Sequence, residues 1–406
     1  MFHQFYTRLN EAGIARFNLF AKEWAENGVK TEVVASPINY FTGKRQSGRG
    51  IFWREKDGGV SVIRAYATSI GYRTFLGRLL SYFSFLISSF IAGLFTARPD
   101  VVIASSPSMF IGLVGYGVSV FRRAPFVFEI RDLWPDEAIE LGFIKNRLII
   151  GLSRDLERFL YRKARFIIVN SPGSKEFLIK EKNVLADKIG VVENPVEVKI
   201  DKTSGEAQKE KMGWRNKFVV MYSGNHSAVY DFDGILEAAK KLDSSKDILF
   251  VLVGDGRQKP QIAERVKDEG INNVLLLPPV PKSEVLKMLS AADLCIAVLK
   301  EKRLLKYIYA TKLFDYMAAG KPVLLAMEGV SAKLVCERAN SGVCVKPGDA
   351  LELADNIKKL SQDKRKLKIF GGNGQAFVKE NLDSKLLADR YLKLLKPIIV
   401  PAGKSD

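Results

Sequence analysis

Short apolar segments alternate with longer amphipathic ones along the first half of this chain. Apolar runs of strand length lie at 30–36, 59–67, 100–106, 125–131, 165–171 and 190–195. Segments of helical length separate most of these runs, the first of them at 17–27. Strands that alternate with helices usually form a parallel sheet with helices on both faces. The first half is therefore predicted to be a doubly wound α/β unit.

A second pattern of the same kind begins after a polar, charged segment at 199–211. Its strand-like runs lie at 218–223, 248–253, 274–277, 294–299, 322–327 and 342–345. We therefore predict an α/β protein of two Rossmann-like doubly wound units, residues 1–197 and 198–379. Two such sheets would face a cleft, which is where ligands of this architecture bind.

A short helix is predicted to begin at Thr311 and to be stopped by Gly320 and Pro322, with candidate chemistry at its start. The Thr311 hydroxyl is a candidate acceptor for the unpaired amides of the first turn. Lys312 adds a full positive charge to the partial charge of the helix N-terminus, which suits a phosphate. Asp315 lies one turn along the same face, where a carboxylate suits a ribose diol. The alternative is a capped amphipathic helix with an exposed Lys and Asp.

A second candidate site follows the predicted strand at 125–131. Arg131, Asp132 and Trp134 crowd its C-terminal end, which is the edge where open α/β sheets place their sites. We interpret this region as an acceptor site, with Asp132 orienting or deprotonating a hydroxyl. The alternative is a loop that begins a helix, since Asp and Pro are common in such positions.

The segment 79–95 is free of charged residues over 17 positions. That length is just short of the roughly 20 residues that cross a bilayer. Arg78 and Arg98 flank it, and three serines recur in it at helical spacing. Three interpretations remain open: a buried crossover helix, a helix face embedded in the inner leaflet, and a membrane span.

The net charge of +18 is unusual for a chain with 27% charged residues, and each half carries nine net positive charges. A basic surface suits nucleic acid, anionic lipid headgroups or phosphate-bearing substrates. A nucleic-acid-binding protein should gather basic and aromatic residues on one face. The even spread of charge over both halves makes that function the weaker alternative.

The cysteines and acidic motifs do not predict a metal site. Cys295, Cys336 and Cys344 lack metal-ligand spacing and lie in or beside apolar runs, so we expect buried, reduced thiols in a cytoplasmic protein. The Asp-Phe-Asp motif at 231–233 precedes a predicted helix, and we interpret it as a helix cap.

Residues 312–323, Lys-Leu-Phe-Asp-Tyr-Met-Ala-Ala-Gly-Lys-Pro-Val, resemble the donor-site signature of family 4 retaining glycosyltransferases with the GT-B fold. The resemblance is closest to the lipopolysaccharide and capsule branch that builds O-antigen repeats, including N-acetylfucosaminyl transferases. The Arg-Asp-Leu-Trp-Pro run at 131–135 is also similar to that family. The family usually has Glu at the position of Asp315 and a second Glu where Tyr307 stands. Many members have an Arg and a Lys that clamp phosphate where this chain has Asn225 and Tyr230.

The resemblance implies that the C-terminal domain binds the donor and the N-terminal domain binds the acceptor. It also implies that a C-terminal tail, residues 380–406, packs back on the N-terminal domain. The donor-binding residues it assigns, together with the candidates above, are Gly13, Gly224, Asn225, Val280, Lys306, Thr311, Lys312, Leu313 and Asp315. Arg131 and Trp134 are the acceptor-binding candidates, and Asp132 and Lys312 are the catalytic candidates.

The resemblance further implies the substrates and the cellular setting. The donor would be a nucleotide-sugar, with UDP as the nucleotide and an N-acetylated amino sugar as the group transferred. The acceptor would be a polyprenyl-diphosphate-linked glycan, and no metal or other cofactor would be needed. The enzyme would be a cytoplasmic protein attached peripherally to the anionic inner face of the plasma membrane, where it would contribute to O-antigen or capsule synthesis. A GT-B sugar-nucleotide epimerase is the alternative within the fold.

Overall fold

The computed structural model describes residues 1–6, 16–39, 43, 45–46, 48, 50–72, 74–106, 108–196 and 205–399. The chain divides into two compact units, Met1–Pro195 with Ser384–Asp406, and Val196–Asp383. Each unit is built on a largely parallel sheet, and helices follow most strands. This arrangement confirms the predicted fold class of two Rossmann-like α/β domains.

The first unit contains a parallel sheet and a smaller group of three strands. Its strands are β1 (Glu32–Ala35), β2 (Phe52–Asp57), β3 (Val60–Ala65), β4 (Val102–Ser105), β5 (Phe126–Ile130), β6 (Phe166–Val169) and β7 (Ile189–Val191). Its helices are α1 (Arg16–Glu26), α2 (Phe75–Leu94), α3 (Phe110–Arg122), α4 (Asp136–Glu140), α5 (Arg147–Lys163) and α6 (Pro172–Lys182). Strands β4-β5-β6-β7 are parallel in that order, and β3 lies between β1, which is parallel to it, and β2, which is antiparallel.

The first residues of the chain join these two groups of strands. Phe2 forms parallel bridges with Val34 of β1 and with Ala104 of β4. Its amide donates to the Ile103 carbonyl at 2.7 Å, and its own carbonyl accepts from the Ser105 amide at 3.0 Å. Every strand of the first unit is therefore connected into one hydrogen-bonded surface.

The second unit is a six-stranded parallel sheet. Its strands are β8 (Phe218–Ser223), β9 (Ile248–Val253), β10 (Val274–Leu277), β11 (Leu294–Val298), β12 (Val323–Ala326) and β13 (Gly342–Val345). Its helices are α7 (Gly205–Lys211), α8 (Phe232–Lys241), α9 (Lys259–Asp268), α10 (Lys282–Ser290), α11 (Lys312–Ala318), α12 (Val330–Ala332), α13 (Ala350–Ser361) and α14 (Lys364–Asn381). The strands are arranged in the order β10-β9-β8-β11-β12-β13, all parallel. The chain adds strands towards one edge from β8 to β10 and towards the other edge from β11 to β13, so the order of connection reverses between β8 and β11. Ligands of doubly wound sheets bind beyond the C-terminal strand ends at such a reversal.

The last helix, α15 (Ser384–Leu395), packs on α1. The Trp24 indole donates to the Ala388 carbonyl at 3.1 Å, and the Tyr391 ring lies 5.1 Å from the Trp24 ring. Helix α14 ends at Asn381, and α15 begins at Ser384. This break lets the chain pass from the second unit to the first.

The predicted state of the cysteines was wrong for two of the three. Cys336 and Cys344 form a disulfide, while Cys295 is buried and free. Cys336 lies in a π-helical turn, Lys333–Arg338, which leads to β13 and brings the two Cα atoms to 6.2 Å. That separation is within the usual range for a disulfide. The apolar neighbours of Cys295 correctly predicted that its side chain is buried. The apolar runs beside Cys336 and Cys344 do not predict the π-helical turn that brings these two residues together.

Helix α2 contains the charge-free segment, and one of its faces is anchored to the first unit. The Ser88 hydroxyl donates to the Tyr66 carbonyl at 2.5 Å, and the Ser84 hydroxyl accepts from the Thr68 amide at 3.0 Å. By length and composition Leu76–Leu94 qualifies as a candidate membrane span, and 39% of its most apolar window is buried. The serines at helical spacing therefore mark the face that packs inward.

Candidate functional site

The turns that follow β8 and β9 pack directly against each other. Gly224 follows β8 with φ 135°, and Gly254 follows β9 with φ 143°. A Cβ atom at Gly254 would lie 1.9 Å from the Gly224 carbonyl oxygen. The Gly224 amide also donates to the Val253 carbonyl at 2.9 Å. Glycine is required at both positions because the φ angles and the close approach exclude a side chain.

Lys312 is the first residue of α11, and its side chain is buried beside the turn after β8. The residue is 8% exposed, and a Cβ atom at Gly224 would lie 3.1 Å from its Nζ. Within the described part of the chain Nζ has no hydrogen-bond partner. Burial lowers the pKa of Lys312 well below its usual value. A buried ammonium without an anion is costly, so this side chain is a candidate ligand for a negatively charged group.

Two tyrosine rings enclose the Lys312 ammonium. Its Nζ lies 3.4 Å from the centre of the Tyr222 ring and 3.7 Å from the centre of the Tyr230 ring. The Tyr222 hydroxyl donates to the Asn225 carbonyl at 2.6 Å, which fixes the ring against the turn. Cation–π contacts stabilise an ammonium by roughly 0.5–2 kcal/mol each. The rings thus contact the protonated form of Lys312 beside the turn, but they do not supply an anion.

His226 packs beside the Tyr222 ring, with 5.7 Å between the ring centres. Its ring is fully buried and lies 4.8 Å from the Phe232 ring. Burial, together with the nearby charges of Lys259 and Lys312, lowers its pKa to about 4. A neutral imidazole is therefore expected at physiological pH, and it adds no positive charge to that of Lys312.

Asp315 lies one turn along α11 and is held by a cation from α10. Its carboxylate is 3.0 Å from Lys282 Nζ, and the two side chains are 32% and 55% exposed. A half-exposed ion pair of this kind contributes little stability, about 0–1 kcal/mol. The carboxylate therefore remains accessible to a ligand hydroxyl that can replace Lys282.

The predicted cap of α11 was wrong. Thr311 has helical backbone angles, φ −56° and ψ −27°, and its side chain makes no capping hydrogen bond. A capping hydroxyl needs extended backbone angles to reach the amides of the first turn. The Leu313 amide donates to the Ala310 carbonyl at 2.9 Å, and the Phe314 amide donates to the Thr311 carbonyl at 3.2 Å. These two amides of the first turn thus already have acceptors.

The other predicted donor-binding residues are not all placed close to Lys312. Asn225 and Lys306 are exposed, and Lys306 lies in a 3-10 turn, Leu305–Tyr307. Val280 lies in the loop before α10, two residues from the Lys282 that contacts Asp315. Gly13 lies outside the described residues. The structure therefore brings Gly224 into contact range of Lys312 but does not place Val280 or Lys306 against that ammonium.

The Asp-Phe-Asp motif is a helix cap, as predicted. The Asp231 carboxylate accepts from the Gly234 amide at 3.0 Å at the start of α8. Asp233 forms an ion pair with Arg265 at 2.9 Å. Across the described ranges, no group of three or more His, Cys, Asp or Glu side chains is arranged to hold a metal ion.

In the first unit, the predicted acceptor residues lie where β5 ends. The Arg131 amide donates to the Ser106 hydroxyl at 2.9 Å, and the Arg131 carbonyl accepts from the Asn170 side chain at 2.9 Å. These bonds tie the end of β5 to the segments that follow β4 and β6. Arg131, Asp132 and Trp134 are all half-buried, so their side chains remain reachable.

Burial shifts the pKa values of the ionisable residues at this edge. It raises the pKa of Asp132, which the charge of Arg131 partly offsets. Burial, and then the charges of Asp132 and Glu140, raise the pKa of Glu137, in α4, to about 7. A carboxylate with a raised pKa accepts a proton more readily near neutral pH. Both Asp132 and Glu137 are therefore candidate bases.

A buried ion pair that the sequence did not predict stabilises the same edge. Arg16 Nη2 lies 2.8 Å from Glu129 Oε1, and both side chains are essentially inaccessible. Arg16 also donates to the Val192 carbonyl at 2.8 Å. His3 is buried nearby, where burial and the charges of Arg131 and Arg16 lower its pKa well below the usual value. Arg16 thus links α1, β5 and the segment after β7.

Both halves of the chain match models of glycosyltransferase domains. Residues 13–195 match the glycosyl transferase 4-like domain, and residues 204–377 match the glycosyl transferases group 1 family. Together the two matches span both units of the structure. Residues 1–12, 196–203 and 378–406 lie outside the two matches.

Individual relatives agree with the domain matches. The chain is 24% identical over 364 residues to Escherichia coli K12 WcaI, which is named for colanic acid biosynthesis, covering 85% of this chain and 88% of WcaI. It is 22% identical over 258 residues to the uncharacterized glycosyltransferase MJ1069 of Methanocaldococcus jannaschii, covering 63% of this chain and 64% of that protein. Among solved structures, Anabaena HepE in complex with UDP and glucose superposes with a TM-score of 0.70 at 18% identity, covering 96% of this chain and 98% of HepE.

Proposed function

Because the chain belongs to the GT-B glycosyltransferases, we propose that it transfers a sugar from a UDP-sugar to a lipid-linked glycan with retention of configuration. The proposed sugar is an N-acetylated amino sugar, in line with the resemblance to N-acetylfucosaminyl transferases. Two relatives support parts of this proposal: HepE is described in complex with UDP and glucose, and WcaI is named for a surface polysaccharide. The proposed product is a repeat of O-antigen or capsule.

The observation that carries the donor proposal is the buried Lys312 side chain, whose Nζ has no hydrogen-bond partner among the described residues. We infer that the donor diphosphate supplies the missing anion beside Gly224 and Asn225. The Asp315 carboxylate accepts hydrogen bonds from the ribose diol and releases Lys282 as it does so. The segment around Val280 frames the uracil, and Lys306 adds a cation at the rim.

The proposed chemistry places positive charge where negative charge develops. As the bond between the anomeric carbon and the phosphate oxygen breaks, charge accumulates on the leaving UDP. The Lys312 ammonium stabilises that charge in a site that excludes water, which strengthens the interaction. We propose that the reaction needs no metal ion, as the resemblance implies.

The acceptor side of the proposal rests on the residues that follow β5. The acceptor hydroxyl attacks the anomeric carbon from the face that the diphosphate leaves, so the configuration is retained. Its proton passes to Asp132 or to the departing phosphate oxygen, and Asp132 orients the hydroxyl in either case. Arg131 and Trp134 contact the acceptor, whose proposed form is a polyprenyl-diphosphate-linked sugar. The enzyme would then work as a peripheral protein at the inner face of the plasma membrane.

The test incubates the purified protein with UDP-N-acetyl amino sugars and a polyprenyl-diphosphate-linked monosaccharide, and follows the lipid product by mass spectrometry. One added N-acetylamino-sugar mass with release of UDP is the expected result. Lys312→Met should abolish most of this transfer. Lys358→Met, which removes an exposed lysine from α13 of the same unit, should not. Equal transfer by both variants would contradict the donor site, and transfer from GDP- or dTDP-sugars alone would contradict the choice of UDP.

A further inference from the structure

Helices α2 and α3 together expose an apolar surface on the first unit. We define this α2–α3 surface by Leu76, Leu80, Phe83 and Ile87 of α2 and by Phe110 and Leu113 of α3. These side chains are 69%, 56%, 48%, 66%, 40% and 40% exposed. The α2 members recur at intervals of four, three and four residues, which places them on one helical face. The Phe83 and Phe110 rings lie 6.2 Å apart, so the two helices form a continuous surface.

The opposite face of α2 is fixed to the rest of the first unit. A Cβ atom at Gly93 would lie 2.6 Å from the Phe2 ring and 2.8 Å from Val118 of α3. Ser88 bonds the Tyr66 carbonyl, and Ser89 is fully buried. A transmembrane orientation would break these contacts and expose their polar groups to lipid. The helix therefore presents its apolar face while it remains part of the domain.

The charges around this surface are almost all positive. Neither helix contains Asp or Glu, and their charged residues are Arg78 and Arg122. Arg98 and Arg123 follow the two helices and are exposed, while Asp100 is the one acidic residue in the connection between α2 and β4. The Arg122 guanidinium donates to the Thr96 carbonyl. Arg78 lies two residues from Leu76 and Leu80, which places it on the opposite side of α2 from the apolar face. Arg98 and Arg123, which have no ion-pair partner among the described residues, are the cations that an external partner can contact.

We propose that the α2–α3 surface docks on a lipid membrane that contains anionic headgroups. Its apolar side chains enter the boundary between headgroups and acyl chains, and the flanking arginines contact lipid phosphates. A second copy of this chain is a poorer partner, because it would bring the same cations together on a protein of net charge +18. The proposal rests on the proposed function, since a polyprenyl-linked acceptor lies in such a membrane, and it specifies the surface that reaches it.

The apolar contribution is tested by co-sedimentation of the full chain with vesicles of phosphatidylcholine alone or mixed with phosphatidylglycerol. The variant Leu80→Ser/Phe83→Ser/Ile87→Ser should bind the mixed vesicles at least about tenfold more weakly. The matched control Leu185→Ser/Leu351→Ser/Ile369→Ser removes side chains that are 70%, 59% and 48% exposed elsewhere. The control should bind as the wild type does, and equal binding by the two triple variants would overturn the proposal.

The charge contribution is tested with Arg98→Gln/Arg123→Asn. Each arginine near an anionic surface is expected to change binding about fivefold, so this pair should weaken binding by roughly thirtyfold. The control Lys211→Gln/Lys241→Gln removes two exposed lysines from the second unit and should have no effect. Strong binding to pure phosphatidylcholine, unchanged by the arginine substitutions, would overturn the anionic specificity.

Two further measurements separate this proposal from its alternatives. Sedimentation velocity without lipid should show a monomer. A dimer that the Leu80, Phe83 and Ile87 substitutions abolish would assign the surface to a second copy and overturn membrane docking. Calorimetric titration with UDP should give the same affinity for the triple variant and the wild type. If the wild type bound vesicles but not UDP, the proposed transfer would fail while the docking surface stood.

Discussion

Replacing Lys312 with methionine separates a ligand-binding lysine from a structural one. Methionine fills a similar volume between Tyr222 and Tyr230 but carries no charge. A lysine that stabilised the fold through an ion pair would lower the free energy of unfolding when lost. Lys312 has no such partner within the described residues, so its loss should weaken nucleotide binding without that penalty.

The magnitude follows from the contact that the diphosphate would make. A hydrogen bond to a charged group contributes about 1.5–3 kcal/mol, which corresponds to roughly a tenfold to 150-fold weaker affinity for UDP in the variant. The same comparison should reveal a pH dependence of stability. Because the pKa of Lys312 is lower in the folded state, the unfolded chain binds more protons above that pKa. Wild-type stability should therefore rise relative to Lys312→Met as pH increases from that lowered pKa towards about 10.4, the unfolded value.

Calorimetry and denaturation supply the readouts. UDP titrations in buffers of different ionisation enthalpy should show proton uptake by the wild type above the lowered pKa, because the bound anion restores the charge of Lys312. The variant should show none of this uptake. Urea unfolding of Lys312→Met near neutral pH should give a free energy of unfolding at or above that of the wild type. A variant that is less stable and yet binds UDP normally would refute the reasoning.

Further predictions concern other charged residues. Arg16→Met leaves the buried Glu129 carboxylate alone and should lower the free energy of unfolding by about 3–5 kcal/mol in urea titrations; a loss below about 1 kcal/mol would contradict the buried pair. Asp315→Asn should abolish the preference for UDP over 2′-deoxy-UDP in calorimetry, whereas Lys282→Gln should preserve it and cost at most about 1 kcal/mol of stability. Glu137→Gln should match the wild type below about pH 4.3, because both side chains are then neutral. Between that pH and about 7 only the unfolded wild type releases this proton, so wild-type stability falls as pH rises, and at pH 8 the variant should be more stable by up to about 3 kcal/mol; equal stability there would exclude the raised pKa of Glu137.

The apolar runs located the buried strands well, but they missed the exposed strand β2. Strands β8 and β9 lie at the predicted positions 218–223 and 248–253, because a strand covered on both faces requires a continuous apolar run. Strand β2, Phe52–Asp57, was not predicted. It pairs only with β3 and alternates half-buried with exposed positions, and four of its six residues are charged. Its conformation depends on the neighbouring strand, which local sequence does not record.

The candidate site was predictable in its residues but not in its contacts. Lys312 and Asp315 could be identified from the sequence because a cation at the start of a helix suits a phosphate and a carboxylate one turn along suits a ribose diol. The position of Lys312 between Tyr222 and Tyr230 arises only when β11 pairs with β8, which brings segments about 90 residues apart side by side. The ion pair of Arg16 with Glu129 is equally non-local. The cap assigned to Thr311 failed because Thr311 itself has helical backbone angles.

Tyr230 explains why the proposed donor site would depend so strongly on one lysine. The resemblance places a phosphate-clamping cation at that position, and here an aromatic ring stands there with Lys312 Nζ 3.7 Å from its centre. The second unit therefore supplies its ammonium from α11 rather than from the loop after β8. If the two positions are equivalent, Tyr230→Lys should restore UDP affinity to Lys312→Met. In the wild-type background the same substitution should destabilise the ligand-free protein, because two ammonium groups would then share one buried space. Failure of Tyr230→Lys to rescue a folded Lys312→Met would show that the two positions serve different parts of the donor.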